Sequence, residues 1–350
     1  MLSLLCEPTL FHTVSLVGRD PAQFATLLEK SSRLACVVRH LKFDLKRELF
    51  TQRSEKLSDD GAGILGLCHG IRSLTIFFTE KDDYYPVSLL KAIAALPDLF
   101  HLYVEDQEAE RHLYRTLDGA DREPSTYLLK HLLETVLESH GKQLLSLVVA
   151  AATPMAESTL NCIIQNTPKL TKLEIHRCLK ARLRSVLANS GTWACAPHLG
   201  QLKFKYCTGV HAGTFTRMLA LGVFGCPRWV SLIGCGHPIS DDRSPPPPHL
   251  EWRIPPLEVL ELYNFDRWEM AHLCMIHTRE VHMSKVWSNW VEPMKIEDVR
   301  SMVNASSFPE LVLVNVTSEW SKQEFSELQQ VCQARGIESV TVGSVYSGRF

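Results

Sequence analysis

The chain lacks any long apolar run: its most hydrophobic stretch, Leu144 to Ala152, is about half of what a membrane-spanning helix of roughly 20 residues needs. Its start, MLSLLCEPTLF, has no basic leader and too short an apolar segment for a signal peptide. It also lacks an excess of either charge, since 37 Lys plus Arg against 39 Asp plus Glu leave a formal net charge of -2. No global field favours nucleic acid or a membrane surface, and charge-based recognition must be local. The eleven cysteines are odd in number, dispersed and without CxxC or CxC spacing, which excludes a local metal knuckle or redox pair. They read as buried, reduced thiols of an intracellular protein, cytoplasmic or nuclear. In that setting the sequons at Asn304 and Asn315 are chance matches.

Catalytic signatures are missing as well. There is no GKS or GKT phosphate loop, no HExxH, no GxSxG and no zinc-finger spacing. Gly61, Gly63 and Gly66 match GxGxxG, but they follow the polar run Thr51 to Asp60 rather than a strand, so a glycine-containing helix capped by Asp59 is the plainer reading. The fifteen histidines are scattered, with no pair four apart around a carboxylate. No enzyme activity, cofactor or metal is expected.

What the sequence does contain is a repeat. The spacing LxxLxL, with other apolar residues substituting, recurs as Val38, Leu41, Phe43; Ile71, Leu74, Ile76; Leu99, Leu102, Val104; Leu144, Leu147, Val149; and Leu170, Leu173, Ile175. It continues as Leu199, Leu202, Phe204; Leu257, Leu260, Leu262; Leu311, Val314, Val316; and Ile337, Val340, Val342. Degenerate copies sit at Phe11, Val14, Leu16, at Trp229, Leu232, Gly234 and at Thr278, Val281, Met283. Successive copies stand mostly about 26 to 33 residues apart, near the upper end of the roughly 20 to 29 of leucine-rich repeats. Prolines such as Pro97, Pro168, Pro197, Pro227 and Pro309 precede several copies and stop the preceding element where a strand begins.

Between copies lie helical stripes. Asp20-Pro21 reads as an N-cap with proline at the first helical position, followed by Phe24, Leu27, Leu28 and Leu34 on one face. Leu129, Leu132, Leu133, Val136 and Leu137 form another stripe, and Phe325, Leu328, Val331 and Cys332 a third. A unit of strand, turn and helix cannot cover its own apolar face, so neighbours stack. The expected fold is an α/β leucine-rich-repeat solenoid, a curved horseshoe with parallel strands on the concave face and helices on the convex face. One array of about twelve degenerate repeats is expected over 1–350, interrupted by a proline-rich loop at 237–256 that carries Pro245 to Pro248.

Strand alternation turns the third, fifth and seventh positions of each copy to the concave surface. One group of candidates is Lys172, Glu174 and His176 beside Gln201, Lys203 and Lys205, with Glu261 and Tyr263 two repeats on; it reads as a basic patch suited to an acidic peptide segment. The other is Thr75 and Phe77 beside His101, Tyr103 and Glu105, which offers the aromatic residues enriched in interface hot spots. The competing reading is that these side chains only keep the sheet soluble.

The stretch Leu10 to Phe43, LFHTVSLVGRDPAQFATLLEKSSRLACVVRHLKF, resembles the segment after the F-box in fungal F-box/leucine-rich-repeat proteins, where an LFxTVxL strand is followed by a helix and by VRxLxF. The resemblance implies that the repeats hold a protein substrate, while in that family a helical F-box docks on the Skp adaptor of a cullin ubiquitin ligase. Few residues precede Phe11 here, so the F-box is expected to be missing and Skp binding is not expected. The function expected is a non-catalytic protein-binding scaffold resembling a substrate receptor. The alternative is a repeat protein that regulates an enzyme directly. Neither nucleic acid nor a membrane is an expected partner.

Overall fold

The structure, a computed structural model, describes residues 10–17, 19, 21–44, 54–78, 87–106, 127–150, 157–177, 197–207, 212–222, 224–235, 252–263, 272–273, 275–284, 296–304, 311–318 and 321–343. The chain forms two compact units, Met1–Cys178 and Leu179–Phe350. Among the described residues, no helix is long and apolar enough to cross a membrane.

The first unit carries strands β1 (Thr13–Ser15), β2 (His40–Asp44), β3 (Ser73–Phe78), β4 (His101–Asp106), β5 (Ser146–Ala150) and β6 (Lys172–His176). Helices α1 (Pro21–Lys30), α2 (Ser32–Val37), α3 (Ser54–Leu67), α4 (Val87–Ala94), α5 (Tyr127–His140) and α6 (Glu157–Asn166) alternate with them. All neighbouring strands pair in parallel and in chain order. The ladder aligns Leu41, Leu74, Leu102, Leu147 and Leu173 on one rung, and Phe43, Ile76, Val104, Val149 and Ile175 on another. Those residues are at most 5% exposed, so each apolar position of the repeat fills one core row. Every such burial contributes about 1.5–3 kcal/mol, and loss of any one opens the row.

The second unit repeats the design with β7 (Gln201–Lys205), α7 (Ala212–Ala220), β8 (Trp229–Ile233), β9 (Leu257–Tyr263), β10 (Thr278–Ser284), α8 (Ile296–Asn304), β11 (Leu313–Ser318), α9 (Lys322–Ala334) and β12 (Glu338–Gly343). These strands too pair in parallel and in order. Each unit is thus an α/β leucine-rich-repeat solenoid, and the central apolar residue of each LxxLxL copy lies on a strand.

Several local expectations need correction. The ladder sets Val230 beside Leu202 and Leu232 beside Phe204, so the β8 copy runs through Val230 and Leu232, two residues earlier than Trp229, Leu232 and Gly234. Trp229 is accordingly 41% exposed. β12 pairs Val314 with Ser339, one residue off the repeat spacing; Gly336, at φ 69°, ends α9 and sets where that strand starts. Leu27 is 41% exposed, because the α1 stripe points Leu28 into the core instead. The α5 stripe is buried at all five expected positions.

Gly61, Gly63 and Gly66 lie inside α3, which begins at Ser54, so Asp59 is a helical residue rather than a cap and no strand-to-helix phosphate cradle exists there. Of the seven described cysteines, Cys68, Cys207, Cys235 and Cys332 are buried, whereas Cys36 and Cys226 are exposed. Burial pushes the Cys68 thiol up to about 12, well away from reactivity. Cys207 and Cys235 stand three residues past the last core position of their repeats, and the Cys235 thiol donates to the Phe204 carbonyl at 3.3 Å, tying neighbouring repeats together. Of the insertion expected at 237–256, the part up to 251, with the run Pro245 to Pro248, lies outside the described residues.

Candidate functional site

In the first unit, the sheet face opposite the apolar rows carries three polar rungs across β4, β5 and β6: His101, Ser146 and Lys172; Tyr103, Val148 and Glu174; Glu105, Ala150 and His176. The β5 side chains are small, yet Val148 is 7% and Ala150 2% exposed. Larger neighbours cover them. The Arg177 guanidinium, just past β6, meets the Glu105 carboxylate of β4 at 3.8 Å, so this ion pair crosses over β5.

Both ends of that bridge are held. The Tyr103 hydroxyl donates to Glu105 at 2.5 Å, and the Phe77 ring packs at 57° with its centroid 6.0 Å from that of Tyr103. On β6, Glu174 binds the Lys172 ammonium at 2.7 Å with one oxygen and His176 Nε2 at 3.0 Å with the other. The side chains of Glu105, Glu174, His176 and Arg177 are only 14–22% exposed. Burial, then the hydrogen bond to Glu105 and the charges of Glu105 and Glu174, raise the Tyr103 pKa far above its ordinary value, against an opposing pull from Arg177. The phenol therefore stays a neutral donor under all working conditions.

Phe77, His101, Tyr103, Glu105, Lys172, Glu174 and His176, all expected at exposed strand positions, thus share one face of one unit. Lys172 is already paired with Glu174, so its charge is partly answered. Strand alternation ends with β6 at His176, so the repeat pattern alone does not reach Arg177. Its backbone is left-handed, at φ 59°, and Tyr206 (φ 54°) and Gly234 (φ 57°) repeat this conformation two residues past the last core position of their own repeats.

The remaining candidates lie in the second unit. Lys203, Ser231 and Glu261 form one rung, and Lys205, Ile233 and Tyr263 the next. Ser231 is 2% exposed, and its hydroxyl has no hydrogen-bond partner among the described residues. The Lys205 ammonium lies 5.3 Å from the Tyr206 ring centroid. Burial and the Glu261 charge raise the Tyr263 pKa. Among the described residues, no group of three or more His, Cys, Asp or Glu side chains could hold a metal ion.

The chain matches no protein-family model and no curated protein sequence. Among solved structures it is similar to the leucine-rich repeat-containing protein LegL7 from Legionella pneumophila, at 14% identity and a TM-score of 0.43, over 92% of this chain and 98% of that one. It is also similar to a chain of the Rad7 and Elc1 complex in yeast, at 12% identity and a TM-score of 0.34, over 89% and 88% of the two chains.

Proposed function

We propose that the chain is a non-catalytic repeat scaffold that binds a protein partner on the open sheet face of its first unit. The observation that carries this reading is the cluster of Phe77, Tyr103, Glu105, Glu174, His176 and Arg177, whose charged members are largely withdrawn from water on a face that the apolar rows do not use. Groups already stripped of most hydration lose little more when a partner covers them, and the adjoining rings supply the apolar anchor typical of interface hot spots. The finer reading, a substrate-receptor-like protein of F-box ancestry in the cytoplasm or nucleus, is supported by the Leu10 to Phe43 segment, which folds as β1, α1, α2 and the start of β2.

The test is a variant carrying Phe77→Ala and Tyr103→Ala, compared with the wild type by quantitative affinity purification from lysate. Partners recovered with the wild type should fall at least about tenfold in affinity, as for loss of a hot-spot aromatic. Full retention of every partner by a folded variant rejects this face.

A further inference from the structure

The strand-start edge of the same face carries a row of histidines. His12, just before β1, packs its ring at 51° and 4.9 Å from the ring of His40 on β2. The same rung continues through Ser73 of β3, His101 of β4, Ser146 of β5 and Lys172 of β6. Cationic or protonatable groups thus alternate with serines, so that His40, His101 and Lys172 stand two strands apart, about 9.6 Å from one to the next.

We propose that this row is a docking edge for an acidic peptide in polyproline II conformation laid across the strands, with a carboxylate at every third residue meeting His40, His101 and Lys172. Three residues of polyproline II rise about 9.3 Å and complete one turn, so every third side chain returns to the same face at the spacing of the row. The serines leave room between the larger side chains and offer hydroxyls to the peptide backbone. The proposal rests on the open face of the first unit being the binding face, and it adds the chemistry of the occupant.

Charge complementarity fixes the sign of the ligand. The groups that face the row are His12 beside β1, Lys42 on β2, and His101 and Lys172 across the sheet; each lowers the pKa of a histidine in it. Burial is the first cause for His40, followed by His12, His101 and Lys42, and for His101 burial is followed by Lys172. Among the described residues, the carboxylate bonded within this rung is Glu174, through Lys172, which itself remains 38% exposed. A bound carboxylate relieves this repulsion, so binding takes up protons and strengthens as pH falls. A polyphosphate is the less suitable ligand, because a chain of net charge -2 supplies no broad positive field to condense it.

The experiment is fluorescence anisotropy of the full chain with a labelled peptide repeating Asp-Ser-Gly, at about pH 7.5 and about pH 5.5 and constant ionic strength. A peptide of identical composition with its aspartates in one block, and a single-stranded oligothymidylate, are the controls. The repeating peptide should bind at least about tenfold tighter at the lower pH and tighter than either control. His40→Gln with His101→Gln should abolish the pH dependence; His101→Gln alone, at an exposed position, should reduce it. Equal binding of the block peptide, preference for the oligonucleotide, or pH dependence that survives in the folded double variant each overturns the proposal. Such an outcome with partners still lost on Phe77→Ala and Tyr103→Ala removes the histidine row alone; retention of partners there as well removes the face.

Discussion

His140 offers a sensitive test of how the repeats are locked together. It closes α5 and is 2% exposed. Its Nε2–H donates to the Ile93 carbonyl of α4 at 2.8 Å, while the Gln143 amide reaches its Nδ1 at 3.4 Å and the Pro97 carbonyl at 3.0 Å. The network uses the neutral ring, one nitrogen donating and the other accepting. His140→Leu keeps the bulk but removes one of two hydrogen bonds to the Ile93 carbonyl, which still accepts from the Leu96 N–H, at a cost of about 0.5–1.5 kcal/mol. At about 2–4 °C per kcal/mol for a domain of this size, melting should fall by about 1–6 °C near neutral pH.

Acid adds a second readout. Burial lowers the His140 pKa below the ordinary 6.5, the Ile93 hydrogen bond only partly opposing it. On acidification the unfolded chain takes the proton first. The contribution to stability is therefore complete above that value and is lost as pH falls through it toward the folded pKa. Thermal melts followed by circular dichroism near pH 7.5 and pH 5.5 should show the wild type losing more than the variant. Identical neutral melts, or identical acid slopes, would refute the reasoning.

Three further outcomes follow from the ladder and the helix ends. Leu173→Ala, at a fully buried rung beside Leu147, should cost about 2–5 kcal/mol in denaturant titrations, and an unchanged midpoint would mean the register is wrong. Gly141→Ala should destabilise by about 1–3 kcal/mol, because the added methyl would run into the carbonyl oxygens of Asn166 and Leu137, which are backbone and cannot swing aside; an unshifted melt contradicts this. Ser321→Ala removes a capping box in which Ser321 and Glu324 satisfy each other's backbone N–H groups, and should cost about 1 kcal/mol in the second unit, measurable as faster amide exchange at the start of α9.

The sequence by itself determined the repeat, and with it the strands, their parallel pairing and the apolar rows, because LxxLxL encodes locally which side chains must leave water. Leu41, Leu74, Leu102, Leu147 and Leu173 could be aligned from their spacing alone. Alternation likewise put Phe77, Tyr103, Glu105 and Glu174 on the other face. Tertiary structure decided the rest. Trp229 has the chemistry of a core residue, and only pairing with Gln201 shows that the neighbouring Val230 takes the row instead. The bridge from Glu105 to Arg177 and the row from His40 to Lys172 join residues brought together only after the segments between repeats have folded out of the sheet. Core positions are specified one at a time by hydrophobicity, whereas polar contacts between strands depend on exact lateral register and on which side chains are small enough to be crossed.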